Sequence, residues 1–212
     1  MISSFDGSGA GLLIDAAVDV KDADNDRHTP LYLACSNPNE QVLYALLAAG
    51  AEWRDPPRAT ICHAAARNHN EAIMRRALER GCDVNARDSS GSTPLLIAAQ
   101  YGTANVVSLL LNAGAEAGVV DTNKQSACHL ACENSNVGVM RALIAGGAPF
   151  DVDVLLKAME WSNLDSVRAL IDAGMDVASQ FDMNSWSNTD EMTGEMLELL
   201  IRVGVNFRAR ND

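Results

Sequence analysis

The feature that most constrains this chain is a helix-ending residue that recurs along it, at Ala17, Gly50, Gly81, Gly114, Gly147, Gly174 and Gly204. The intervals are 33, 31, 33, 33, 27 and 30 residues. A unit of that size cannot bury its apolar surface alone and has to stack against its neighbours, so the period implies an array of repeats rather than one central core. The stretch from Asp88 to Gly114 holds one complete unit. Thr93 is placed to cap a helix, and Pro94 follows at the first helical position, where its missing N–H is not needed. Leu95, Ile97, Ala98 and Ala99 give that helix its apolar side, and Tyr101-Gly102 ends it. A second helix is expected over residues 104–113. Val106, Val107, Leu109, Leu110 and Leu111 make it apolar on most of its circumference, as for a helix sandwiched between neighbours, and Gly114 supplies a left-handed exit.

The starts of the units agree with the ends. Thr29-Pro30-Leu31, Thr60-Ile61-Cys62, Thr93-Pro94-Leu95, Ser126-Ala127-Cys128 and Asp153-Val154-Leu155 each bring a capping side chain to the same register, and each cap stabilises its helix by roughly 1 kcal/mol. The order of turn, T-P-L-x-x-A, helix, helix and glycine resembles the ankyrin repeat over nearly the whole chain from about Leu12. The resemblance implies an all-α solenoid of stacked helix-turn-helix units with projecting β-hairpin-like loops. Its expected divisions are 1–23 as an N-terminal half repeat or cap, then repeats at 24–54, 55–87, 88–120, 121–152 and 153–180. Residues 181–212 form a divergent C-terminal capping repeat.

Composition is consistent with this and excludes several functions. The balance of 16 basic against 28 acidic residues gives a net charge of -12, which disfavours a surface built to track phosphates. Direct nucleic-acid binding is not expected. No apolar run approaches the ~18 residues of a membrane span, and MISSFDGSGAG lacks the basic start and apolar core of a signal peptide. The expectation is a soluble monomer in the cytoplasm or the nucleus. There is no P-loop, G-x-S-x-G elbow, H-E-x-x-H or dinucleotide-binding glycine motif, and paired carboxylates such as Asp190-Glu191 have nothing apolar beside them to shift a pKa. Neither catalysis nor a cofactor is expected.

The five cysteines stand at core positions of the template. Cys62 and Cys128 replace Leu95, Cys35 and Cys132 replace Ala99, and Cys82 replaces Ala115. Buried free thiols are expected, as suits a reducing compartment. The alternative, a zinc site on Cys128 and Cys132, lacks a second pair of ligands at suitable spacing, so no metal is assigned. His63 and His129 fall at the histidine of the family's T-P-L-H motif, which the resemblance implies braces the adjoining turn; His28 and His69 are read as lone surface residues. Trp53 occupies a position that is apolar in the other repeats and is read as structural. Asp55-Pro56-Pro57-Arg58 is expected to make a stiff hairpin.

Both ends depart from the template. Residues 11–18 match only the second half of a repeat, which fits either a truncated cap or a segment of a longer array. The 27-residue interval before Gly174 removes the projecting turn of the fifth repeat, leaving Asp153 as its cap. The segment from Asp151 to Ile201 holds eleven acids, Asp182 among them, against Lys157 and Arg168, a charge of -9. Such a segment is either a hydrated face or a surface that steers a basic partner.

The resemblance implies protein binding through the groove lined by the first helices and through the hairpin tips. The ends of the first helices nominate Arg67, Asn68, Gln100, Tyr101, Glu133, Asn134, Glu160 and Trp161 as partner-binding residues. Exposed aromatics dominate binding energy where they form anchors, so Tyr101 and Trp161 lead the set, with the surrounding acids favouring a protein partner that carries a basic segment. The expected role is an adaptor or stoichiometric inhibitor. The alternative is a regulatory or targeting segment of a larger enzyme or signalling protein.

Overall fold

A computed structural model of the chain describes residues 20, 22–25, 28–37, 39–53, 60–134, 137–180 and 193–205. The half repeat at 11–18, the hairpin at 55–58, Asp182, Asp190, Glu191 and the terminal tail lie outside them.

Five helix pairs follow one another: α1 (Pro30–Cys35) with α2 (Glu40–Ala48), α3 (Ile61–Arg67) with α4 (Glu71–Glu79), α5 (Pro94–Tyr101) with α6 (Ala104–Asn112), α7 (Ala127–Glu133) with α8 (Val137–Ala145), and α9 (Val152–Glu160) with α10 (Leu164–Asp172). The short α11 (Val177–Gln180) and α12 (Gly194–Arg202) come after them. First helices pack on first helices, α1 on α3, α3 on α5, α5 on α7 and α7 on α9, while the second helices α2, α4, α6, α8 and α10 form a parallel layer. This is the all-α solenoid expected from the period. Among the described residues no strand forms; the loop before α7 carries only an isolated antiparallel bridge between Val120 and Ser126.

Each pair begins and ends on the same local chemistry. Thr29, Thr93 and Ser126 accept from the first-turn amides of α1, α5 and α7, and Thr60 completes a capping box with His63. At the other end Gly50, Gly81, Gly114, Gly147, Gly174 and Gly204 all have φ between 76° and 91°. The next residue then donates its N–H to the helix five residues back, as Ala115 does to the Leu110 carbonyl at 3.0 Å and Met175 to Leu170 at 3.2 Å. A left-handed residue is required for that closure, which is why glycine marks the period.

The core runs the length of the stack through Leu31, Leu43, Ile73, Leu95, Leu110, Leu143, Leu155 and Leu170, all buried. In α6 Val106, Val107 and Leu110 are buried and Leu109 and Leu111 half-buried, and the helix lies between α4 and α8 with α5 against it, sandwiched as expected. Four cysteines are buried, and burial pushes the thiols of Cys35, Cys128 and Cys132 up to about 12. Cys82 differs. It follows the glycine exit of α4 and is half-buried. Trp53 packs partly buried against the core. His28 is not a lone residue: it stacks on Tyr32 with ring centroids 4.6 Å apart and pairs with Asp24 at 3.4 Å.

The projecting loops are closed by an aspartate that the sequence reading did not single out. Asp88 Oδ1 accepts from the N–H groups of Ser90 and Ser92, and Asp121 Oδ1 from those of Asn123 and Gln125. Thr122 donates both its N–H and its hydroxyl to the Ser90 carbonyl, which stacks one loop on the next. Before α9 that loop is missing, and its shortening also moves the cap. Asp151, not Asp153, accepts from the Val154 N–H at 3.2 Å, and α9 begins at Val152. Without a hairpin to enter, the helix extends backwards, and Asp153 lies in its first turn, where a carboxylate favours the helix dipole.

Candidate functional site

The eight nominated residues sit where each first helix turns into its second. Two histidines brace the opposite, N-terminal ends of the first helices. His63 Nδ1 accepts from the Thr60 N–H at 3.1 Å, so its Nε2 carries the proton and donates to the Ser92 carbonyl at 2.9 Å, joining the second pair to the third. His129 Nδ1 lies 2.8 Å from Ser126 Oγ in the equivalent box. Both histidines brace turns, as the resemblance implies.

The turn itself comes in two forms. In the first, an asparagine reaches back across the stack. Asn68, 3% exposed, donates through Nδ2 to the carbonyls of Cys35 at 3.0 Å and Asn37 at 2.6 Å, and its Oδ1 accepts from the Asn70 N–H at 2.8 Å. Asn134 donates to the carbonyls of Ala99 and Gly102 at 3.1 and 3.3 Å. The amide nitrogens of Asn68 and Asn134 are thus taken up by the preceding repeat, and their contribution to a surface is to hold the turn in place.

In the second form the same register holds an aromatic. Tyr101 stands 33 residues after Asn68 and is 43% exposed; Trp161 at the end of α9 is 53% exposed. The stitch is supplied elsewhere in each case. Behind Tyr101 the chain passes through Gly102, where an added Cβ would lie 2.9 Å from the Ala66 carbonyl oxygen and 2.8 Å from that of Ala98. Backbone lies directly on backbone there. Behind Trp161, Ser162 adopts φ 51°, and Asn163 then donates to the Cys132 and Asn134 carbonyls at 3.0 and 3.3 Å.

Each ring carries a cation. The Arg67 guanidinium carbon lies 4.7 Å from the Tyr101 centroid, and Lys157 Nζ 5.7 Å from that of Trp161. Between them Gln100 Nε2 donates to Glu133 Oε2 at 2.8 Å, and Lys157 pairs with Glu160 at 3.3 Å. The structure therefore brings the nominated residues into one row across α3, α5, α7 and α9. What this row offers chemically is two rings, polar groups between them and no nucleophile. Among the described residues no group of three or more His, Cys, Asp or Glu is placed to hold a metal, and no helix is long and apolar enough to cross a membrane.

A family profile described as ankyrin repeats in three copies matches residues 39–121 and again 100–181. Similar proteins include a putative ankyrin repeat protein of fowlpox virus, 31% identical over 109 residues, covering 50% of this chain and 16% of that protein. The B-cell lymphoma 3 protein homolog of Mus musculus is 31% identical over 144 residues, 65% of this chain and 32% of its own length. Neurogenic locus notch homolog protein 1 of Xenopus tropicalis is 30% identical over 155 residues, 72% of this chain and 6% of its own. The chain spans a third or less of these relatives. With the period, the glycine closures, the stacked pairs and the profile in agreement, this chain belongs to the ankyrin repeat family.

Proposed function

We propose that this chain binds a protein partner through the row of first-helix ends, with Tyr101 and Trp161 as anchors, as an adaptor or stoichiometric inhibitor. Ankyrin repeats are in general protein–protein interaction modules, and the observation that favours this face is the exposure of two large rings in a register that asparagine fills elsewhere. Magnitudes support the choice. A cation–π contact at an exposed site contributes about 0.5–1 kcal/mol, whereas a buried aromatic anchor contributes about 2 kcal/mol or more, so a partner that covers the rings gains more than it loses by moving Arg67 or Lys157. Glu133 and Glu160 beside the rings favour a basic segment on the partner. Gln100 and Arg67 complete the surface, and Asn68 and Asn134 hold its turns. Buried free thiols suit a reducing compartment, either cytoplasm or nucleus.

A second reading, a regulatory or targeting segment of a larger protein, is favoured by the small share of each relative that this chain covers. The two make the same demand of the surface. After affinity capture of a partner from native cell extract, changing Tyr101 and Trp161 together to Ala should weaken its binding by at least about 2 kcal/mol while the unfolding midpoint stays nearly unchanged. Unaltered affinity would move the site to the loop tips or the second-helix face.

A further inference from the structure

The projecting loops before α5 and α7 stack edge to edge, and the second of them has no loop on its other edge. The Ser90 carbonyl of the first loop receives both the N–H of Thr122 at 3.2 Å and its hydroxyl at 3.0 Å. Thr122 also packs on Gly91, where an added Cβ would lie 3.2 Å from its methyl. Thirty-three residues on, the matching edge of the second loop is made by Asn123 and Lys124 in place of Ser90 and Gly91, with Val120 in place of Arg87. What would cover that edge is missing. The cap Ser126 follows Gly114 by twelve residues, whereas the cap Asp151 follows Gly147 by only four. Those few residues reach the base of the loop, where Pro149 Cγ would stand 3.8 Å from a Cβ added at Gly118. Val120 is left 40% exposed, Asn123 and Lys124 are exposed, and among the described residues nothing donates to the Asn123 carbonyl.

The covered edge shows what the open one takes. Ser90 accepts from the amide and the hydroxyl of a single residue, a pair that a helix cannot offer beyond its first turn because its amides are bonded within it. The occupant is therefore non-helical where it touches, and that residue is Ser or Thr. Lys124 narrows the choice. Its φ of 62° is close to the 71° of Gly91, so its Cβ points to the side on which Thr122 packs against Gly91, and a threonine methyl would be crowded there. At Val120 an apolar side chain replaces Arg87, whose Nη1 donates to the carbonyls of Gly91 at 3.0 Å and Val120 at 3.1 Å. We infer that this open edge binds a loop of a partner protein, laid along it as the loop before α7 lies along the one before α5. A serine of that loop donates its N–H and hydroxyl to the Asn123 carbonyl, an apolar side chain covers Val120, and Lys124 selects serine over threonine. The edge lies at the other end of the first helices from Tyr101 and Trp161 and does not rest on their role.

Four peptides test this, each carrying the sequence of residues 120–126 closed by a thioether between its ends, with Ser, Thr, Ala or N-methylserine in the place of Thr122. Their binding to the isotope-labelled whole chain is followed by amide chemical shifts at millimolar concentration. The serine peptide should shift the amides of Val120, Asn123 and Lys124 and bind about fivefold more tightly than the alanine and N-methylserine peptides, each of which lacks one hydrogen bond. It should also bind more tightly than the threonine peptide. Glycine adopts positive φ freely, so Lys124→Gly keeps the loop and should bring the threonine peptide to the affinity of the serine one. No shifts from the serine peptide, or equal affinity of the serine, alanine and N-methylserine peptides, would overturn the proposal. Shifts confined to the turns at Tyr101 and Trp161 would also overturn it while leaving the binding role of those rings standing. A preference for serine that persists in Lys124→Gly would overturn the part assigned to Lys124.

Discussion

The turns at Asn68 and Tyr101 occupy the same register one repeat apart, yet one is buried and bonded to its neighbour while the other holds an exposed ring. The fourth and fifth pairs repeat the contrast with Asn134 and Trp161. The difference teaches that this position has a structural duty, linking each turn to the carbonyls of the preceding repeat, and that an aromatic stands there only where the duty is met by other means. In the third pair Gly102 instead lets the backbone lie close to the preceding repeat, where an added Cβ would stand 2.9 Å from the Ala66 carbonyl oxygen. In the fifth, Asn163 meets it two residues later. Relocating a constraint is what frees a residue for binding.

Both kinds of turn depend on the same core, so the largest effect should come from removing a core side chain. Leu110→Ala should cost about 2–5 kcal/mol through lost transfer energy and a residual cavity. A loss under about 1 kcal/mol in equilibrium unfolding would mean that the second-helix layer does not couple the repeats. Next is Gly102→Ala, whose methyl meets the Ala66 and Ala98 carbonyls. Neither oxygen belongs to a flexible side chain, so a cost of about 1–3 kcal/mol is expected by overpacking. A neutral result would break the claim that glycine replaces the asparagine stitch.

The thiols behind these turns report on them more gently. Cys35 and Cys132 supply the carbonyls that Asn68 and Asn163 bond, and burial pushes both thiols up to about 12. In the folded protein they should react slowly with a thiol reagent. Asn68→Ala should speed the labelling of Cys35 severalfold, whereas Tyr101→Ala should leave it unchanged. The linkage has a definite sign: a thiol pKa raised on folding means that the native state holds its protons more tightly, so their stabilisation is complete below about pH 8.5 and declines as pH rises towards 12. Replacing Cys35, Cys128 and Cys132 by Ala should flatten that alkaline decline. An unchanged slope would assign it to other groups.

Much of the fold was legible because its signals are local. A Thr-Pro pair, the bond of a His to the cap three residues before it and a Gly at the exit act within five residues of themselves, so Thr93, the cap bond of His63 and Gly114 could be read directly. The bond of His63 to Ser92, 29 residues on, could not. The cap at Asp151 was misplaced by two residues because two aspartates compete for it, and only loss of the preceding loop decides between them. Asn68 and Asn134 read as surface polar groups, since their partners lie 31 to 35 residues back on another repeat's backbone. The recurrence of Asn at one register was the available signal. Tyr101 and Trp161 were legible as exposed rings by that register, but the cations over them come from Arg67 one repeat away and from Lys157 one turn earlier, neither marked by any motif.

The most direct test of the relocated constraint compares two neighbouring residues in the fifth pair by equilibrium unfolding. Asn163→Ala removes the bonds to Cys132 and Asn134 and the cap on Ser166, and should cost about 1–3 kcal/mol. Trp161→Ala removes an exposed ring and should change stability by no more than about 0.5 kcal/mol. The reverse order, with Trp161→Ala the costlier substitution, would show that the ring is structural and would contradict the account.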